Sequence, residues 1–206
     1  MHSKSLWIFL SLVILTNPLQ AVVIDKIRAI VNDDVITESE LYAIEHLDVD
    51  LSGLPPRENV LQRRIDYKLV LQQIQRQPPL EIPEDEFQST LDSFAARHGG
   101  MEEVLVFLNS IGMNYADFEE ELRNQLMIRS FIRLRFRPFV NVRLEEAEKY
   151  YNEVYKPRLQ EEGKEVPDFE ESLEEIQTEM VESGVQERTK EWLDSLRRSA
   201  TITIKE

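Results

Sequence analysis

The sequence predicts a mainly α-helical domain whose helices are tied together by a small β-sheet joining the N- and C-terminal segments. Two observations carry this. Apolar residues recur at spacings of three and four in one run after another, and the runs are separated by Pro and Gly. Short β-branched stretches stand near the two ends, Ile27–Val31 and Thr201–Ile204. A lone strand at a chain end needs a partner, so these two stretches are expected to pair.

The chain opens with Lys4, a ten-residue apolar run from Leu6 to Leu15, Pro18 and a small residue at Ala21. That is the pattern of a cleaved secretory signal over residues 1–21. Ten helical residues reach about 15 Å, half of a bilayer core, so no stable membrane insertion is expected. Residues 22–206 are expected to form a single domain. Its first strand is Ile27–Val31. Asn32, Asp33 and Asp34 then form a turn, and Val35 and Ile36 a second short strand. Thr37 caps the first helix, with Glu40 at the capping-box position and Leu41, Ile44 and Leu47 on its apolar face.

A second helix is expected over Arg57–Gln77. Leu61, Ile65 and Leu69 form one row, widened by Tyr67, Val70, Leu71 and Ile74. A third begins at Glu84 after Ile82-Pro83, with Phe87, Leu91 and Phe94 inward, and ends at Gly99-Gly100. A fourth, Met101–Ile111, has Met101, Val104, Leu105, Leu108 and Ile111 on its stripe. Tyr115–Arg137 is the long central helix. Asn114 caps it, acids fill its first turns and arginines its last, which suits the helix dipole, and Pro138 stops it. Phe118, Leu122 and Leu126 form one row, and Met127, Phe131 and Leu134 lie on the other side, so neighbours must wrap it.

A sixth helix follows with Ala147, Tyr150, Tyr151 and Val154, completing a core over 22–155. Residues 156–167 are charged, with Pro near both ends and a Gly, and are expected to be a linker. The C-terminal part, 168–206, starts with the Asp168/Glu171 capping pattern. A helix with Phe169, Leu173, Ile176 and Met180 follows, and Gly184 stops or weakens it. A last amphipathic run holds Val185, Trp192, Leu193 and Leu196, before the half-buried strand with Ile202 and Ile204.

Composition narrows the function. A net charge of −15 argues against nucleic-acid and anionic-lipid partners. With no cysteine there is no disulfide, thiolate metal site or cysteine nucleophile. No Gly-rich phosphate loop, HExxH or GxSxG occurs, so neither a catalytic site, a metal site nor a cofactor is expected. His46 and His98 read as surface or helix-end residues, and carboxylate pairs such as Glu145/Glu148 and Glu171/Glu175 as solvated helix faces.

Three pieces, in this order and spacing, resemble the N-terminal chaperone domain of SurA and its parvulin-type foldase relatives. They are Ala29–Glu40 (AIVNDDVITESE), Ile82–Phe87 (IPEDEF) and Gly112–Arg129. The ending EWLDSLRRSATITIKE resembles the closing helix and strand of that family. In full-length relatives parvulin isomerase domains lie between the sixth helix and the C-terminal part. Here that place holds only the segment 156–167 and the helix after it. The resemblance implies a periplasmic, ATP-independent chaperone and not an enzyme. It also implies unfolded polypeptides as partners, with outer-membrane β-barrel precursors foremost; the alternative is an adaptor for one folded envelope partner. Val106 and Phe107 fall outside the stripe of their helix, and Phe136 and Phe139 flank Pro138. These four are the candidate client-binding residues, as apolar groups least easily placed in a core.

Overall fold

A computed structural model of the chain describes residues 25–47 and 49–205. The signal expected over residues 1–21 lies outside the described residues. The elements run β1 (Ile27–Val31), β2 (Asp34–Thr37), α1 (Glu38–Leu47), α2 (Val60–Ile74), α3 (Glu84–Arg97), α4 (Met101–Ser110) and α5 (Tyr115–Phe136). A 3-10 turn (Arg137–Phe139), α6 (Leu144–Tyr150), a π turn (Tyr151–Tyr155), α7 (Lys156–Glu161), α8 (Phe169–Ser199) and β3 (Ile202–Ile204) complete them. The fold is mainly α, as expected.

The sheet has the order β2-β1-β3, both pairs antiparallel. Val31 faces Asp34 across the turn on one side and Ile202 on the other. Asn32 takes a left-handed conformation, φ 54°, which Asn tolerates better than most residues. From there its N–H donates to Thr201 O at 2.8 Å and its Oδ1 accepts from Thr201 N–H at 3.0 Å. The turn is thus also the anchor for the far end of the chain. Thr37 Oγ1 accepts from Glu40 N–H at 3.3 Å. The reciprocal half of the expected capping box is missing, because Glu40 instead accepts from Arg64 on α2 at 2.6 Å.

Four apolar clusters share the helices. Leu47, Phe87, Leu91, Phe94, Val104, Leu108, Phe118, Leu122 and Leu126 bury the N-terminal half of α5 against α3 and α4. Ala29, Val31, Ile36, Leu41, Ile65 and Leu69 pack the sheet on α1 and α2, with Ile202 against them. Tyr67, Val70, Ile74, Ile128, Ile132 and Leu193 join α2, the C-terminal half of α5 and α8. Ala147, Tyr155 and Ile176 join α6 and the π turn to α8.

Some expectations are corrected. The second stripe of α5 centres on Ile128 and Ile132, an i,i+4 pair in phase with Phe136, with the expected Met127 and Phe131 partly buried beside it; Leu134 is 66% exposed. On α4, Val104, Leu108 and Ile111 are buried but Leu105 is exposed, since three buried positions already fill the contact with α3 and α5. Helix α2 starts at Val60, where Asn59 Oδ1 accepts from Gln62 N–H at 3.0 Å, not at Arg57. Only Ile202 of the last strand packs inward; Ile204 is exposed. The stretch 156–167 is helical at its start. Pro157 has no N–H to donate one turn back, and the helix absorbs this by widening into the π turn, where Lys156 N–H reaches Tyr151 O.

The 31 residues of α8 run through Gly184 without a break. A Cβ placed there would lie 2.7 Å from Val140 Cγ1. The glycine is therefore a close-approach residue, which lets the segment after α5 press on α8, and not a helix stop. The C-terminal end of α8 is held by charge. Arg57 donates to Asp66 at 2.5 Å, Arg197 donates to the other oxygen of the same buried carboxylate, and Arg197 also reaches Gln62 Oε1 at 2.7 Å.

Candidate functional site

Two of the four candidate residues lie on α4. Val106 is 68% exposed on the face turned away from α3 and α5. Phe107 is half-buried: it packs against the first cluster and lies 5.2 Å, centroid to centroid, from His98, which in turn stacks on Phe94 at 4.1 Å. The other two lie at the far end of α5. Phe139 is 68% exposed in the 3-10 turn, while Phe136 is half-buried on Trp192 at 5.6 Å, with Arg135 also over that indole. A 22-residue helix is about 33 Å long. The two pairs therefore sit near opposite ends of α5 and do not converge on one surface.

The histidines make local contacts. Nδ1 of His46 and of His98 each meets the carbonyl four residues back, at 2.8 and 3.0 Å. A buried polar hub lies at the middle of the molecule, between α2 and α5. Arg64 donates to both oxygens of Glu121, at 3.1 and 2.9 Å, and to Glu40; Tyr67 donates to Glu121 at 3.0 Å. Gln125 completes it, donating to Glu121 and Val49 O and accepting from Leu51 N–H at 2.7 Å. Burial, then the Glu121 charge, pushes the Tyr67 hydroxyl well above its ordinary pKa. Burial works against the Arg64 cation, but Glu121, Tyr67 and Glu40 outweigh it and keep it charged. A fully partnered hub of this kind positions helices and the 49–54 loop. The cavity beside it holds about 70 Å³, room for water and not for a peptide.

Among the larger hollows, two adjoin α5. One, of about 1000 Å³, lies between α1, α2 and the start of α5, with Tyr42, Leu71, Ile111 and Met113 among Lys26, Lys68 and many carboxylates. The other, of about 780 Å³, runs between the C-terminal half of α5 and the middle of α8. Ile132, Val181 and Val185 line it, with arginines on the α5 side and glutamates on the α8 side. Sequence reasoning missed this groove. Its walls, residues 129–137 and 174–186, are far apart in the chain, and the only local signal was the run of arginines at the end of α5, which the helix dipole already explained. No helix among the described residues is long and apolar enough to cross a membrane.

Residues 24–133 match the family described as the SurA N-terminal domain. Among curated proteins, the chain is similar to the Chaperone SurA of Pseudomonas aeruginosa, 30% identical over 118 residues, covering 53% of this chain and 28% of that protein. It is likewise 30% identical to the Chaperone SurA of Xanthomonas campestris pv. campestris over 115 residues, covering 51% and 25%. With the Chaperone SurA of Chromohalobacter salexigens it shares 27% identity over 139 residues, covering 63% and 32%. The match thus spans between a quarter and a third of the length of these relatives. The matched part contains the sheet hairpin, α1 to α4 and most of α5.

Proposed function

The chain belongs to the SurA N-terminal domain family, and from that premise we propose that it is an ATP-independent holding chaperone of the periplasm. Its clients are unfolded envelope proteins, with outer-membrane β-barrel precursors foremost. The family match over residues 24–133 carries this reading. The surface supports it, since Val106, Phe139 and Leu134 are large apolar side chains left to solvent on an otherwise acidic protein. Such groups shield an aggregation-prone strand by burying its apolar residues for a time, with release governed by affinity alone. The proposed contacts are Val106 and Phe139, helped at their edges by Phe107 and Phe136.

The test is suppression of aggregation of a urea-unfolded β-barrel protein diluted into nucleotide-free buffer. Suppression at near-stoichiometric protein is expected, and Val106→Ser with Phe139→Ser should weaken it while leaving the melting temperature almost unchanged. No suppression by the unaltered protein would overturn the proposal. The holding role also implies no acceleration of cis/trans isomerisation in a proline peptide. Acceleration that survives repurification would assign an enzymatic activity instead.

A further inference from the structure

The groove between α5 and α8 sets arginines on one wall against glutamates on the other. Arg129 on the α5 wall is paired with Glu86, and Glu179 on the α8 wall with Arg158. Arg133 and Arg137 on one wall, and Glu174 and Glu182 on the other, form no ion pair among the described residues, although Arg137 donates to Val140 O at 3.3 Å. Cations and anions thus face each other across about 780 Å³ without closing on one another. At one end Gln186 donates from Nε2 to Gly53 O at 2.9 Å, but its buried Oε1 has no hydrogen-bond partner. Ile132, Val181 and Val185 give the groove an apolar component between the charged walls.

We infer that this groove holds an extended polypeptide segment by its main chain, with the arginine wall binding carbonyls and the glutamate wall binding amide N–H groups. The inference rests on the chaperone reading and names how the client is gripped. A ligand of a single charge would be repelled by one wall. An extended chain presents both carbonyls and N–H groups along each edge, so each wall finds its complement. Alternate side chains then turn toward the apolar residues and toward solvent. Recognition of this kind ignores most of the sequence bound, which is what a holder of many unfolded chains requires.

The test uses a fluorescein-labelled, uncharged eight-residue peptide alternating Thr and Val, and the same peptide with alternate amides N-methylated. Binding is read by anisotropy on the full chain. The unmethylated peptide should bind at least tenfold more tightly than the methylated one. Arg133→Ala/Arg137→Ala and Glu174→Ala/Glu182→Ala should each abolish that difference while leaving the circular dichroism and melting temperature unchanged. Equal binding of the two peptides, or unaltered discrimination in both double variants, would overturn the inference. If the double variants still suppress β-barrel aggregation as well as the unaltered protein, the chaperone reading stands and the groove assignment falls. If the unaltered protein shows neither suppression nor peptide binding, both fall.

Discussion

The two halves of α5 have opposite fates although they belong to one uninterrupted helix. The N-terminal half is enclosed: Phe118, Leu122 and Leu126 are fully buried beneath α3 and α4. The C-terminal half is covered on one side only, where Ile128 and Ile132 meet α2 and α8, and its other side shows Arg133 and Leu134 to solvent. Chain order explains the difference. Helices α3 and α4 precede α5 directly and fold back over its start, while the segment after α5 leaves through Pro138 and the Val140–Gly184 contact. One half of the helix is enclosed in the core, and the other leaves part of its surface to solvent.

The largest expected effect separates the halves outright. Leu122→Ala should cost about 2–5 kcal/mol by leaving a cavity, read as a drop in the denaturant midpoint, whereas Leu134→Ala should stay within about 0.5 kcal/mol. Equal costs would show the C-terminal half to be as enclosed as the other. Next, removing residues 201–206 should lower stability by about 1–2 kcal/mol, less than a fully buried Ile is worth, because Ile202 packs but is only partly buried and Ile204 is exposed. Hydrogen exchange should then rise in α8 near Leu196 and leave the α3–α4 cluster unchanged; a uniform rise would mean that the halves do not separate. A smaller effect is expected from Gly184→Ala. The clash with Val140 should outweigh the gain in helix propensity by about 1 kcal/mol, and Val140→Ala in the same chain should restore much of it. Additive losses would place the close approach elsewhere.

The smallest effect depends on pH. The Arg158 guanidinium, aided by the Tyr150 hydroxyl, holds the Glu179 carboxyl below the ordinary glutamate range despite some burial. A depressed carboxyl contributes stability above its unfolded pKa and loses it as pH falls through the lower folded value. The pair is over a third exposed, so the change should stay below about 1 kcal/mol. Below pH 4, α6 and α7 should loosen from α8, seen as faster exchange at residues 144–161, and Arg158→Gln should remove the pH dependence. Unchanged exchange would mean that apolar packing through Tyr155 and Ile176 alone holds this side of the groove.

Local chemistry made much of the fold legible. The Asn114 cap accepts from Asp117 N–H at 2.9 Å as its spacing implied. The i+4 rows of α3 and α5 are buried, and β3 pairs with β1 as alternation at the chain ends required. The missed features depend on long-range geometry. Gly184 reads as a breaker until Val140 is seen against it. Nothing near Asp66 in the chain announces Arg197, 131 positions away. Phe107 and Val106 look equivalent in the sequence, yet His98 lies against the ring of one while the other is left mostly exposed. The groove belongs to this second kind, because each wall taken alone is an ordinary charged helix face.

The central strand β1 has its outer partner 169 positions downstream, at the Asn32–Thr201 junction. During synthesis, the hairpin of β1 and β2 is made first and must wait with one edge open until the last strand arrives. Until residues 202–204 have been made, the edge of β1 that β3 covers has no strand to pair with, and an open strand edge is what makes unfinished β-proteins adhere to one another. Closure by β3 therefore makes completion of the first-made sheet depend on a segment synthesised much later.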